Sequence, residues 1–265
     1  MIFAGIDVGS LCTKTVLIDG EGKIITSNII RSGAFYSDAA QDSFKKALDE
    51  KGLDPEDITY TVATGYGRAR VDFANEEITE ITCHAKGASS IFPDVRTLID
   101  IGGQDSKVLS IEEGRVMNFV MNDKCAAGTG RFLEVMAQTL GVDLERLGEL
   151  WFESKKKIEV SSMCVVFAET EVISLFSKGH DIADIAAAVE RAIARRITGM
   201  VAQVGVRERV VMSGGVAKNK GVIKALEESL GKEISIPPEP QIIGALGASL
   251  LARERYYDIM GKENG

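Results

Sequence analysis

The sequence contains few of the residues that mark several large protein classes. Its 265 residues include only four cysteines, five prolines and one tryptophan. Four cysteines in a chain of this size do not suggest the disulfide framework of a small secreted domain. No apolar run approaches the ~20 residues that a membrane-spanning helix needs. The N-terminus, MIFAGIDVGS, lacks a basic segment before its apolar residues, so we expect no signal peptide and a cytoplasmic location.

Positive charge is also scarce. The chain has 31 Lys and Arg against 39 Asp and Glu, which gives a net charge of −8. A nucleic-acid-binding surface needs a basic patch, so we expect neither a nucleic-acid nor a membrane partner. The P-loop pattern GxxxxGK[ST] and a GxGxxG turn opening a helix are both missing, which argues against these two nucleotide-binding classes. The hydrophobic content of 45% is enough for one large domain or two modest ones.

Two segments share one order of strands and turns. Residues 3–30 predict three strands joined by tight turns, followed by a helix over 37–52, and the pattern restarts at residue 98. Ile6-Asp7-Val8-Gly9 matches Ile99-Asp100-Ile101-Gly102 at an offset of 93, and Lys14 matches Lys107 at the same offset. The sequence therefore predicts an α/β protein built from two diverged copies of one unit.

The remainder is predominantly helical. The periodicity predicts helices over 133–140, 144–152, 168–177 and 184–204. A buried strand, RVVMSGG, then leads into the helix GVIKALEESLG, and a helix from residue 243 closes the chain.

Three glycine turns follow apolar strands: DVGS at 7–10, DIGG at 100–103 and MSGG at 212–215. Backbone N–H groups in such turns form concavities that bind phosphate. Asp7 and Asp100 at the strand ends can hold hydrated Mg²⁺ that bridges phosphate oxygens, and Lys14 adds positive charge. One such turn alone is typical of an ordinary hairpin, but three together indicate a nucleotide site.

This arrangement resembles the actin-like ATPase superfamily. The resemblance implies two ribonuclease-H-like domains with ATP in the cleft between them: residues 1–97, completed by the C-terminal helix 243–258, and residues 98–242. Gln104 and Asp105 are the candidates for orienting the attacking water, with Asp7 and Asp100 as the other catalytic candidates. The implied nucleotide contacts are Gly9, Ser10, Leu11, Cys12, Thr13, Lys14, Gly102, Gly103, Gln104, Gly128, Thr129, Gly130, Gly214, Gly215, Lys218 and Gln241.

Two cysteines precede predicted helices, in NDKCAAGTGRF and SSMCVVFAETE. A helix N-terminus carries partial positive charge and favours a thiolate. Three interpretations of Cys125 and Cys164 remain open from the residues alone: two unrelated buried thiols, a Cys₄ zinc site in a dimer, or a 4Fe–4S cluster shared by two chains. Cys12 and Cys83 are assigned to packing, and His180 to a surface loop.

Four stretches, NDKCAAGTGRF, SSMCVVFAETEVIS, ATGYGR and IDIGGQD, resemble the ATP-dependent activators of 2-hydroxyacyl-CoA dehydratases. These activators belong to the BadF-BadG-BcrA-BcrD ATPase family, with benzoyl-CoA reductase ATPase subunits and reductases of double-cubane-cluster proteins. The resemblance covers residues 3 to about 252. It implies a homodimer whose single 4Fe–4S cluster is held by the residues matching Cys125 and Cys164. One departure is Met163, where these relatives carry threonine.

The family also implies a one-electron pump of anaerobes. Ferredoxin or flavodoxin supplies the electron, and ATP hydrolysis drives its transfer to a partner iron–sulfur dehydratase or double-cubane-cluster protein. The expected coupling path runs through Gly128–Gly130 and the second phosphate loop. Two alternatives are a small-molecule kinase of the actin-like superfamily and a nucleotide-gated binding protein without a cluster. Colour separates them from the activator, because only a cluster protein is brown.

Overall fold

The structure is a computed structural model that describes residues 1–161 and 164–263, so Met163 lies outside the described residues. It divides into two compact units. Unit 1 contains residues 1–94, 112–116 and those from 241 onward, and unit 2 contains residues 95–111 and 117–240. Within the described residues, no helix is both long and apolar enough to cross a membrane.

Unit 1 is built on a five-stranded sheet in the order β3-β2-β1-β4-β5. The first three strands form the expected antiparallel meander, and β4 pairs in parallel with the central strand β1. A parallel neighbour needs a crossover, and the helix between β3 and β4 provides it. The strands are β1 (Ile2–Val8), β2 (Cys12–Asp19), β3 (Ile24–Arg31), β4 (Ile58–Thr64) and β5 (Glu76–Glu77).

Helices α1 (Tyr36–Lys51) and α8 (Ile243–Glu263) pack on this sheet, and α2 (Glu80–Ile91) packs on α8. Helix α1 ends where predicted, at Gly52. This glycine adopts the left-handed conformation that commonly terminates a helix. Helix α8 lies against β1 at Gly5, where a Cβ would overlap the carbonyl of Ala245. The C-terminal helix therefore belongs to the core of unit 1 rather than to its surface.

Unit 2 is built on a second five-stranded sheet, in the order β10-β9-β6-β7-β8. Strands β6 and β7 are antiparallel, whereas β9 is parallel to both β6 and β10. The strands are β6 (Thr97–Ile101), β7 (Ser106–Glu112), β8 (Arg115–Asn122), β9 (Val210–Ser213) and β10 (Ile234–Ser235).

Five helices complete unit 2: α3 (Gly130–Leu140), α4 (Leu144–Leu150), α5 (Val165–Ser177), α6 (Ile182–Val204) and α7 (Lys220–Leu230). The predicted break between α3 and α4 is present, because Gly141 is left-handed and the Asp143 side chain caps α4. The long helix α6 is the centre of the largest apolar cluster in this unit. His180 lies in the connection between α5 and α6, as predicted.

The predicted internal repeat is confirmed by strand register. Asp7 on β1 pairs with Lys14 on β2, and Asp100 on β6 pairs with Lys107 on β7. Each central strand also has the same order of neighbours, two strands of a meander on one side and two parallel strands on the other. The α/β prediction with two similar sheets is therefore confirmed.

One carboxyl group is buried in the helical layer of unit 2. Glu190 on α6 is fully buried, and a Cβ on Gly221, in the first turn of α7, would overlap its carboxyl group. Neither carboxyl oxygen of Glu190 has a hydrogen-bond partner in the described part of the chain. Burial raises the pKa of Glu190 to about 9, and the nearby Asn219 amide and Arg191 guanidinium offset part of that effect.

Candidate functional site

The first glycine turn joins β1 to β2 and carries a partly buried ion pair. Asp7 is the penultimate residue of β1, and its Oδ2 lies 3.1 Å from Nζ of Lys14 on β2. The turn is closed by the Gly9 N–H, which donates to the carbonyl of Cys12 at 3.1 Å. Its glycine and the lysine ammonium leave an open, partly exposed turn of the kind that accepts an anion. The other predicted residues of this loop are Ser10, Leu11 and the buried Thr13.

The second glycine turn joins β6 to β7 and is more heavily charged. Asp100 is buried, with Oδ1 accepting from Ser213 Oγ at 2.7 Å and Oδ2 lying 3.4 Å from Lys107 Nζ. Lys107 is also ion-paired with Asp105, which is at the end of the turn. The Gly102 N–H donates to the carbonyl of Asp105 at 2.9 Å, as Gly9 does in the first copy. The remaining predicted residues, Gly103 and the exposed Gln104, lie at its tip.

The third glycine turn follows β9. Gly214 closes it by donating from its N–H to the carbonyl of Pro240 at 2.9 Å, and a 3₁₀ turn begins at Gly215. Lys218, at the end of that turn, is half-exposed and its Nζ lies 3.0 Å from Glu239 Oε2. Gln241 lies in the 3₁₀ turn Pro240–Ile242 that precedes α8.

A glycine follows β4, the parallel neighbour of β1, and another follows β9, the parallel neighbour of β6, because a side chain would not fit at either position. Gly214 has φ of 86°, and a Cβ there would overlap the carbonyl of Ile101. Gly65, at the equivalent place after β4, has φ of 87°, and a Cβ would overlap the carboxylate of Asp7. A side chain at either position would be strained and would displace the loop beside it. The backbone therefore closes tightly against both candidate phosphate loops.

Cys125 lies in a loop before α3, not at its first turn. The sequence predicts that this cysteine precedes a Gly-Thr-Gly turn and a helix over 133–140, and α3 begins at Gly130. The loop is held by the Asn122 amide, which donates to the carbonyls of Cys125 at 2.8 Å and Ala127 at 3.2 Å. Cys125 is partly exposed and free. Its sulfur is therefore carried by an ordered, accessible loop.

Cys164 fits the helix expectation directly, because it is the N-cap residue of α5. It is free and partly exposed, and its carbonyl accepts from the Ala168 N–H at 3.0 Å. The helix that follows exposes an unusually apolar surface, formed by Val166, Phe167, Ile173 and Phe176. Exposed apolar clusters of this kind mark interaction surfaces.

The second glycine turn is hydrogen-bonded to the first turn of α3, the helix that follows the Cys125 loop. The Gly130 N–H donates to the carbonyl of Gly102, and the Arg131 N–H donates to that of Gly103, both at 2.8 Å. These first-turn donors of α3 are therefore used within the protein and are not free for an anion. The two hydrogen bonds therefore tie the second glycine turn to the start of α3, five residues after Cys125.

The other two cysteines differ from this pair. Cys83 is fully buried on α2, and burial raises the pKa of its thiol to about 12, so it is a poor thiolate and metal ligand. Cys12 lies at the start of β2 in the first turn. Within the described residues, no three His, Cys, Asp or Glu side chains lie together as a metal site.

A groove of 590 Å³ lies beside the Cys125 loop, between β8 and α6. Its charged lining is mainly cationic: Lys124, Arg195 and Arg196 against Asp123. Positive charge is concentrated here although the chain as a whole carries −8.

Two residues of the second turn were missed as site residues by the sequence analysis. Lys107 was matched to Lys14 but was given no role, although the repeat itself pointed to it. Ser213 hydrogen-bonds Asp100 across 113 residues of sequence, and no local pattern marks that contact.

The comparisons with known proteins agree with this geometry. The sequence model of the BadF/BadG/BcrA/BcrD ATPase family matches residues 4–252. The chain is 48% identical over 252 residues to the (R)-2-hydroxyglutaryl-CoA dehydratase activating ATPase of Acidaminococcus fermentans, covering 95% of this chain and 96% of that protein.

Solved structures are equally similar. The activator of the 2-hydroxyisocaproyl-CoA dehydratase from Clostridium difficile, with bound ADPNP, superposes with a TM-score of 0.94 at 43% identity, over 99% of this chain and 98% of the other. A ROK family glucokinase from Streptomyces griseus has a TM-score of 0.60 at 13% identity, over 96% and 100% of the two chains, which indicates a shared fold alone. The predicted actin-like ATPase fold is confirmed.

Proposed function

This chain belongs to the BadF/BadG/BcrA/BcrD ATPase family, and from that premise we propose that it is an ATP-hydrolysing activator. It passes one electron to a partner iron–sulfur enzyme, which is a 2-hydroxyacyl-CoA dehydratase or a related double-cubane-cluster protein. The observation that carries the proposal is the pair of hydrogen bonds from Gly130 and Arg131 to Gly102 and Gly103. These bonds join a candidate phosphate loop to the first turn of α3, the helix that follows the Cys125 loop.

The nucleotide is bound by the glycine turns described above. Lys14 supplies positive charge to phosphate from the first turn, because its ammonium lies beside Asp7 and is partly exposed. Hydrated Mg²⁺ fits Asp7 better than Asp100. Both carboxylate oxygens of Asp100 contact protein side chains, Ser213 on Oδ1 and Lys107 on Oδ2. Asp7 contacts Lys14 through Oδ2, whereas its Oδ1 lies beside the backbone of Gly65.

Cys125 and Cys164 fit a 4Fe–4S cluster shared by two copies of the chain. Both thiols are free and partly exposed, and two chains together supply the four thiolates that such a cluster needs. When bound, the cluster supplies one-electron redox chemistry at low potential. The apolar surface that follows Cys164 on α5 gives a second chain or a partner enzyme an area to pack against.

The chain's own residues account for the coupling between ATP and the electron. A nucleotide that shifts the Gly102–Gly103 backbone pulls on the first turn of α3 through the two N–H bonds. The Asn122 amide, which donates to the carbonyls of both Cys125 and Ala127, links the backbone of Cys125 to the residues just before α3. Nucleotide binding can shift the equilibrium between two positions of this backbone only by the difference between its affinities for them.

The electron donor is ferredoxin or flavodoxin. The groove beside the Cys125 loop supports a donor of negative charge, because it presents Lys124, Arg195 and Arg196. Opposite charge at such a surface raises the association rate more than the affinity, and the effect weakens with salt.

Anaerobic electron transfer tests the proposal. The protein is reduced with dithionite, freed of reductant, and mixed with a purified 2-hydroxyacyl-CoA dehydratase in the presence or absence of MgATP. We expect a brown protein with about four iron atoms per two chains, oxidised by the dehydratase only when ATP is present. Transfer at the same rate without ATP would contradict the proposal.

Cysteine variants supply the matched control. The double variant Cys125→Ala/Cys164→Ala is expected to lose iron and colour, whereas Cys83→Ala, which alters a buried thiol of unit 1, keeps both. Iron retained by the double variant would place the metal elsewhere.

A further inference from the structure

Lys107 is the most thoroughly buried cation in the described glycine turns. Its side chain is 3% exposed and lies on β7, where Nζ is 3.4 Å from Asp100 Oδ2 and is also ion-paired with Asp105. A buried ammonium is costly unless carboxylates compensate it. Lys107 is therefore committed to two side chains of the protein.

The first copy of the repeat shows what is particular to Lys107. Lys14 occupies the equivalent strand position, but its side chain is 16% exposed and its carboxylate partner is Asp7. Cys12 stands where the second copy has Asp105, since each carbonyl accepts from the first glycine of its own turn. Lys107 is thus ion-paired with an acid at the position where the first copy has Cys12.

Asp105 itself is only partly enclosed. Its side chain is 27% exposed, so one carboxylate oxygen is held by Lys107 while the group still reaches solvent at the end of the turn. A carboxylate that orients water must be held in one position, because a misplacement of about 1 Å costs on the order of a hundredfold in rate. The ion pair with Lys107 provides that hold.

We infer that Lys107 is a positioning residue for ATP hydrolysis: it does not contact the nucleotide, and it fixes the Asp105 carboxylate that orients the attacking water. The inference rests on the proposed ATPase function. In the step concerned, the water oxygen forms a bond to the γ-phosphorus and the bond to the bridging oxygen of ADP breaks. ADP and inorganic phosphate leave, and the released proton passes to bulk water.

Steady-state ATPase kinetics separates positioning from binding. Lys107→Gln is expected to lower kcat on the order of a hundredfold while leaving KM and the affinity for a fluorescent ATP analogue nearly unchanged. Lys14→Gln is the matched comparison in the other copy, and its main effect is a raised KM. An equal rise of KM in Lys107→Gln would show that Lys107 binds phosphate directly and would overturn the inference.

A double-mutant cycle tests whether Lys107 acts through Asp105. Asp105→Asn is expected to lower kcat by a similar factor, and the double variant to be no slower than either single variant, because the two residues act as one unit. Multiplicative losses would mean that they act independently and would refute the positioning role. Lys107→Arg, which keeps the charge and the ion pairs, is expected to recover part of kcat.

Further variants and the wild type distinguish a failure of this inference from a folding defect and from a failure of the proposed ATPase function. Should Lys107→Gln not fold, Lys107→Met, which removes the charge but keeps an unbranched side chain, decides: a lowered kcat with unchanged KM supports the inference, and a wild-type kcat or a raised KM overturns it. A wild-type protein that hydrolyses no ATP would refute the proposed function. If the wild type hydrolyses ATP and Lys107→Gln is equally active, this inference alone is refuted.

Discussion

Replacing Glu190 by Gln is expected to stabilise the protein, increasingly so as pH rises. The ordinary pKa of a glutamate is 4.5, and burial raises the pKa of Glu190 to about 9. Between these two values the folded protein keeps the proton that the unfolded chain loses. Stability from this group is therefore complete below pH 4.5 and is lost as pH rises towards 9. Glutamine has the same shape and does not ionise.

The magnitude follows from proton linkage. In the window between the two pKa values, each pH unit removes about 1.4 kcal/mol of the free energy of unfolding from the wild type. From about pH 6 to about pH 8, the advantage of Glu190→Gln over the wild type is expected to grow by about 3 kcal/mol. Other titrating groups cancel because they are common to both proteins.

The only tryptophan makes the measurement local. Trp151 lies in unit 2, and the guanidinium of Arg191, next to Glu190 on α6, stacks 5.3 Å from the centre of its ring. Urea denaturation followed by tryptophan fluorescence therefore reports on the unit that holds Glu190. A stability difference between variant and wild type that does not change from pH 6 to 8 would refute the buried, protonated carboxyl.

Three further predictions concern single residues. Ser213→Ala leaves Asp100 Oδ1 without its buried donor, so it should cost about 1–3 kcal/mol in urea denaturation; a neutral result would mean that water replaces the hydroxyl. Gly214→Ala should cost more than the matched Gly231→Ala, because both have positive φ but only Gly214 faces a carbonyl that the new Cβ would overlap; equal melting temperatures would contradict this. At about pH 8, iodoacetamide should label Cys125 in the native protein far faster than Cys83, whose thiol pKa is about 12, and mass spectrometry measures the two rates.

Local pattern was sufficient for much of the fold. Alternating apolar residues and glycine turns predicted the first meander, and the match of Asp7 and Lys14 to Asp100 and Lys107 predicted the second. Helix stops at Gly52 and Gly141 followed from left-handed glycine alone. These signals are local or periodic, so they are visible in one sequence.

The contacts inside the candidate site were not visible in the same way. Ser213 reaches Asp100 only because β9 pairs with β6 in a particular parallel register. Cys125 was expected ahead of a helix, and α3 does follow it, but the hydrogen bonds by which Asn122 holds the Cys125 loop leave no mark in the periodicity. Glu190 lies on a helix whose apolar stripe predicted burial of its neighbours, and the approach of α7 at Gly221 is what encloses it. Each depends on how elements meet, which periodicity does not encode.

The two similar sheets differ most in one connection. Between β3 and β4, unit 1 carries the single helix α1, whereas between β8 and β9 unit 2 carries α3 to α6 together with Cys125 and Cys164. All five strands of the second sheet lie outside that segment. Both candidate cluster cysteines thus lie in one connection of a duplicated scaffold, so the second unit can differ from the first in chemistry while the two sheets keep the same strand order.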